Sequence, residues 1–185
     1  MNTAPQSRRE DGRTYSVFIA GASDCDELRS IAKRAFEDHN FVAPSNDRKF
    51  AVFDWREDKT PGYAGEQFQE QVFQDAARLW GKEECDIFVL LLWYKFGEDT
   101  KREYDAYMAK RADGSLPHFF VCHYNEPVPP LDLMDCKIDS LFEWITQHRS
   151  GWAELDPTRG AVNEIVAYQA ALYKRINSFL SEQAD

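Results

Sequence analysis

Asp86-Ile-Phe-Val-Leu-Leu-Leu-Trp-Tyr94 is the stretch on which the fold turns. Its apolar residues run consecutively instead of alternating, so a strand here would be covered on both faces. That is the pattern of a central strand in a parallel sheet with helices packed on each side. Upstream, Tyr15-Ser-Val-Phe-Ile-Ala-Gly21 reads as a first strand closed by glycine, and Phe50-Ala-Val-Phe53 as a second. Between them Leu28, Ile31, Ala32, Ala35 and Phe36 recur at helical spacing, with Asp24 and Glu27 at the spacing of a capping box. After the turn signal Lys59-Thr-Pro-Gly62, the residues Phe68, Val72, Phe73, Ala76, Leu79 and Trp80 define a second amphipathic helix. Gly97 ends the central strand, and a third helix is expected from Lys101 to about Lys110.

Pro117-His-Phe-Phe-Val-Cys-His-Tyr124 is a fourth strand, followed by the proline-rich loop 126–130. From Leu131 onward the pattern is helical. It includes a segment Asp139 to Gln147, an N-cap at Asp156-Pro157 and a long last helix marked by Val162, Ile165, Val166, Tyr168, Leu172, Ile176 and Leu180. Alternating strands and helices imply a three-layer α/β sandwich with right-handed crossovers. Residues 1–14, polar and charged, are expected to be a disordered lead-in, and residues 15–185 a single domain.

The bulk numbers narrow the function. The chain has 185 residues, 14% of them aromatic, and a net charge of −10. Such acidity argues against a general nucleic-acid binder, which needs a basic surface to neutralise phosphates. No apolar run is long enough for a membrane helix, and the polar start lacks the apolar core of a signal peptide, so the expected location is cytoplasmic. Cys25, Cys85, Cys122 and Cys136 form no CxxC pair and no Cys/His cluster with zinc spacing, so no metal is expected and the thiols are read as reduced and structural.

In open parallel sheets, ligands lie beyond the carboxyl ends of the strands. Three segments arrive there. The first, Gly21-Ala22-Ser23-Asp24, offers helix-start amides to a phosphate or ribose, or is simply a cap. It carries neither GxGxxG nor a P-loop. The second, from Asp54, presents Trp55 for stacking and Arg56 for a phosphate; alternatively the indole only covers the sheet end. The third, Trp93-Tyr94-Lys95-Phe96-Gly97, leads to Glu103, with Lys95, Lys101 and Arg102 as cations for a pyrophosphate. Glu103 in a first helical turn would be favoured in its ionised form by the macrodipole. It would then suit stabilisation of a developing oxocarbenium charge, not proton donation. Thr100 and Glu103 also have the spacing of a capping box, which requires no ligand.

Local motifs add a resemblance. Val17-Phe-Ile-Ala, Phe53-Asp-Trp55, Pro61-Gly62, Cys85-Asp-Ile-Phe-Val, Tyr94-Lys-Phe-Gly97 and Thr100-Lys-Arg-Glu103-Tyr104 occur in the order found in TIR-like domains of bacterial signalling and anti-phage defence proteins. The chain resembles that family over roughly residues 15 to 183. The resemblance implies a flavodoxin-like three-layer sandwich with a mainly parallel central sheet. It also implies cleavage or cyclisation of NAD+ as substrate, with no prosthetic group, and Glu103 at the position of the family's glutamate. Ligand contacts would come from Ala22, Ser23 and Asp24 and from Trp93 to Phe96. Self-association and a sensor domain or protein are the implied partners.

The chain departs from the family at Glu98-Asp99, where related sequences carry a Gly-Thr pair and where extra acidity opposes an anionic ligand. Two other readings stand beside it. One is a nucleoside or nucleotide N-glycosidase of the deoxyribosyltransferase-like group, in which Glu103 attacks the sugar. The other is a catalytically silent interaction domain.

Overall fold

The structure, a computed structural model, describes residues 12–42, 48–59, 66–93, 95–107, 117–123, 153–154 and 161–183. Strand β1 (Arg13–Gly21) is followed by a 3-10 turn (Ser23–Cys25) and helix α1 (Asp26–Val42). Strand β2 (Arg48–Phe53), the short helix α2 (Trp55–Asp58) and helix α3 (Glu66–Trp80) come next. Then follow β3 (Ile87–Leu92), α4 (Glu98–Tyr107), β4 (His118–His123), β5 (Ala153–Glu154) and α5 (Ala161–Glu182).

The sheet runs in the order β2-β1-β3-β4-β5, with every pairing parallel. This is the strand order of the flavodoxin-like doubly wound fold, whose ligand crevice lies where the order reverses. Here that point is between β1 and β3, which pair from Val17 with Ile87 to Gly21 with Leu91. All six residues of β3 are fully buried, as its unbroken apolar run requires.

Alternation along the strands sends side chains to two cores. Val17, Ile19, Val89 and Leu91 meet α1 and α5 through Ala32, Phe36, Tyr168 and Ile176. Phe18, Ala20, Phe88 and Leu90 face α3 and α4 through Val72, Ala76 and Tyr107. Leu79 and Val166, placed by periodicity on buried helix stripes, are instead exposed.

Several boundaries differ from expectation for definite reasons. Arg13 and Thr14 are not part of a disordered lead-in, because they pair with Arg48 and Lys49 at the start of the sheet. Asp24 does not cap α1. The chain first makes a 3-10 turn, with Cys25 N donating to Ala22 O at 3.0 Å, and no side chain caps it. Helix α4 starts three residues before Lys101, with Lys101 N donating to Gly97 O at 3.0 Å. Strand β5, only two residues long, falls in a region read as helical and is too short to leave a periodic signal.

Asp86, just before β3, is a clamp. Its Oδ2 accepts from Ser16 N at 2.8 Å, from Ser16 Oγ at 3.0 Å and from Lys82 Nζ at 2.7 Å, tying β1 to the chain entering β3. Tyr94, the 108–116 segment, the 124–152 segment with the expected Asp139 to Gln147 helix, and the Asp156-Pro157 cap lie outside the described residues. Of the cysteines, Cys25, Cys85 and Cys122 are buried. Among the described residues no helix is long and apolar enough to cross a membrane, and no cluster of side chains could hold a metal ion.

Candidate functional site

A cavity of about 320 Å³ opens at the carboxyl ends of β1, β2 and β3. Its walls come from the three segments that the sequence sends to that edge. Gly21, Ala22 and Ser23 follow β1, Trp55 and Arg56 follow β2, and Lys95, Gly97, Glu98, Asp99, Thr100 and Glu103 follow β3. Phe68 and Gln69 from the start of α3 complete the wall.

Gly21 is dictated by close approach. A Cβ there would lie 3.0 Å from Leu91 Cβ, 3.2 Å from Leu91 O and 3.4 Å from Arg29 Nη2. Just beyond it, Lys95 N donates to Asp24 Oδ2 at 3.0 Å, so the loops after β1 and β3 are joined across the rim. Asp24 is therefore a brace of the wall and does not line the cavity. Trp93 also lies elsewhere. Leu92 faces the α3/α4 core, so the next side chain turns to the opposite layer and packs there with the α1/α5 core. Phe96 is buried in the α3/α4 core instead of facing ligand. Lys101 pairs with Asp105, four residues on along the exposed face of α4, and Arg102 is exposed without lining the cavity.

The second segment reaches the cavity edge. Asp54 is buried and caps α2, its Oδ1 accepting from Arg56 N at 3.1 Å. The helix lifts Trp55 to the cavity edge, where its ring meets Phe68 edge-on with centroids 5.5 Å apart. Arg56 and Lys59 sit over that indole at 5.0 Å, and Arg56 also pairs with Asp26. The result is an aromatic wall bordered by positive charge.

Beneath the floor lies Arg29, only 1% exposed. Its guanidinium donates to Ile19 O at 2.9 Å and to Gly21 O, and stands 3.7 Å from Asp54 Oδ1. The sequence reading passed over it. The available signal was its place on the buried stripe of α1, between Leu28 and Ala32, where a charge needs partners. Gln69 was missed in the same way, on the stripe that continues through Val72 and Ala76.

Glu103 is the buried acid of the cavity. It is 2% exposed and lies in the second turn of α4, and among the described residues its Oε2 has no hydrogen-bond partner. The capping-box expectation fails because α4 begins at Glu98, leaving Thr100 and Glu103 inside the helix. The expectation of an ionised carboxylate held by the macrodipole fails too. Burial pushes the Glu103 carboxyl up to about 8; nearby Asp99 and Asp54 add to this, while Arg29 and Gln69 oppose it. Desolvation outweighs the helix dipole because the side chain has left the first turn and the water that would support its charge. A carboxyl raised to about 8 favours its protonated form at neutral pH, and a cation beside it would favour ionisation.

No protein-family model matches the chain, and no curated protein matches it significantly. Among solved structures it is similar to a short-chain flavodoxin associated with a non-canonical PDU bacterial microcompartment, at 11% identity and a TM-score of 0.40, covering 87% of this chain and 97% of that one. It is also similar to oxidised flavodoxin 1 from Bacillus cereus, at 14% identity and a TM-score of 0.39, covering 88% and 98% respectively. Likenesses of that size carry nothing about ligand or reaction, and the fold assignment rests on the strand order itself.

Proposed function

We propose that this chain is an N-glycosidase that cleaves the bond between nicotinamide and ribose in NAD+, as a hydrolase or a cyclase. The observation that carries this reading is the buried Glu103 carboxyl, its Oε2 without a hydrogen-bond partner among the described residues, in a cavity at the switch point of the sheet. A pyridinium ring entering against Trp55 and Phe68 would bring a positive charge beside that acid. An opposite charge favours the carboxylate and offsets its desolvation, so substrate and ionisation are coupled. As the C1′–N bond breaks, its electron pair passes to the ring nitrogen and the base leaves neutral. The positive charge moves to the ribose, where the carboxylate stabilises it. Water adding at C1′ and losing a proton completes hydrolysis; a ring nitrogen of the adenine adding there gives a cyclic product.

Arg56 and Lys95 stand where the diphosphate would leave the cavity, while Glu98 and Asp99 oppose it. That opposition fits an effector that works poorly alone. Self-assembly, with a sensor domain or protein as trigger in bacterial immune signalling, is part of the proposal and follows from the resemblance to TIR-like domains.

The test is chromatography of all products after incubating NAD+ with concentrated protein, with and without a crowding agent. Nicotinamide with ADP-ribose or a cyclic isomer supports the reading. Intact NAD+ under both conditions, at every protein concentration, sinks it in favour of a silent interaction domain.

The nucleoside glycosidase reading, in which Glu103 attacks the sugar, is separated by mass spectrometry. A trapped glycosyl-enzyme supports it, and finding no adduct with any nucleoside tested counts against it.

A further inference from the structure

Gln69 is a second buried polar group of the cavity. It lies in the first turn of α3 and is 5% exposed, and among the described residues neither Nε2 nor Oε1 has a hydrogen-bond partner. Other glutamines of the same helix are used locally. Gln71 Nε2 donates to Asp75 Oδ1 at 2.8 Å, and Gln74 Nε2 to Glu70 Oε1 at 3.3 Å. A buried amide left unmet keeps its desolvation penalty, so a ligand that satisfies it recovers that penalty. Its neighbour in the cavity is Glu103, close enough for the amide to oppose the rise in the carboxyl's pKa, and Glu103 Oε2 is also unmet.

The two groups therefore offer the two N–H donors of the amide and several acceptors on a single patch of wall. If Glu103 faces the anomeric carbon, the polar groups next to it on the substrate are the hydroxyls on the adjoining sugar carbons. A cis-diol complements a carboxamide, because one hydroxyl oxygen accepts from the N–H while the other hydroxyl donates to the carbonyl. We infer that Gln69 is a specificity-determining residue whose carboxamide holds the cis-diol of a ribose beside Glu103. The inference rests on the glycosidase reading and deepens it: the site takes ribosides and rejects 2′-deoxyribosides, which runs against deoxyribosyl chemistry.

Calorimetric titration with two probes tests this. One is the non-cleavable carbocyclic analogue of NAD+, and the other is that analogue without the 2′-hydroxyl on the nicotinamide side. The wild type is expected to prefer the diol by about tenfold. In Gln69→Leu the preference should fall to about twofold or less, with the deoxy analogue bound equally by both proteins. The free variant should melt at or above the wild-type temperature, since it removes an unmet amide. Should Gln69→Leu fold poorly, Gln69→Met, unbranched and of similar length, serves for the same comparison.

A preference that survives the substitution, or an equal loss for both analogues, overturns the role of Gln69. Nicotinamide release from NAD+ by the wild type reports separately on the glycosidase reading. Release with an unaffected preference removes only Gln69. Absence of release with a responsive preference removes the catalysis and keeps the sugar site. Failure of both analogues to bind overturns both.

Discussion

Two carboxyls sit at opposite ends of β3 and behave in opposite ways. At the amino end, Asp86 is partly buried, and its Oδ2 takes three hydrogen bonds from Ser16 and Lys82. Burial works against its charge, but Lys82 and Ser16 outweigh it and hold the group below the usual carboxylate range. At the carboxyl end, Glu103 is more deeply buried, has an unmet oxygen and is held well above that range. The difference is one of supplied partners. Asp86 is given its donors by the strands it joins, so it is fixed as structure. Glu103 and Gln69 are given depth with few partners among the described residues, so they retain unsatisfied capacity for a ligand.

The most severe way to break this contrast is Glu103→Gln. Nicotinamide release should fall at least about 100-fold, as expected when a group stabilising transition-state charge is removed. The thermal midpoint should stay level or rise. Loss of folding together with activity would instead make Glu103 a structural residue like Asp86.

The pH dependence of stability comes next in size. The Glu103 carboxyl loses its proton near 4.5 when unfolded and near 8 when folded. Between those values the folded state holds the extra proton, so stability falls as pH rises, by up to about 1.4 kcal/mol per unit. Asp86 has the opposite sign. Its contribution is present above the ordinary value of 3.8 and is lost as pH falls through its lowered folded value. Urea melts from pH 3 to 9 should show the neutral-range decline flattened in Glu103→Gln and the acid-side loss reduced in Asp86→Asn. A wild-type curve flat from pH 5 to 8 would contradict the buried protonated acid.

Asp86→Ala should cost about 2–3 kcal/mol in denaturant melts, because charge-assisted bonds to Ser16 and Lys82 disappear. Its turnover per folded molecule should equal wild type; a selective loss of turnover would erase the contrast. Gly21→Ala should cost about 1–3 kcal/mol, since the new methyl meets Leu91 at the point where β1 and β3 enter the cavity floor. Substrate affinity should weaken with it, which ties cavity shape to strand spacing. Lys82→Met is the smallest test. Its half-exposed pair with Asp86 should be worth less than about 1 kcal/mol, leaving the Ser16 contacts as the main support of the clamp.

Much of the architecture was legible because it depends on local patterns. The continuous run in β3 demanded cover on both faces, and Gly21 with Gly97 marked where strands gave way to loops. Those loops bring Ala22, Ser23, Trp55, Arg56, Lys95 and Glu103 to one cavity, as a parallel sheet requires. Asp24, Trp93 and Phe96 were assigned to the same place from their position in those loops and from the resemblance to TIR-like domains. Adjacency does not fix direction, and a one-residue step along an extended chain sends neighbouring side chains to opposite faces.

By itself, then, the sequence determined the parallel sheet, the edge where chemistry gathers and the identity of the acid that reaches it. Tertiary structure decided what that acid is. A shift of three residues in the start of α4 moved Glu103 from a capping position to a buried second turn. Its ionisation was then set by Asp54, Gln69, Asp99 and Arg29, brought together from four separate stretches of chain. Periodicity reports which face of a helix is covered. Only the packed fold fixes how deep each side chain lies and which donors meet it, and those two quantities set the free energy of a buried charge.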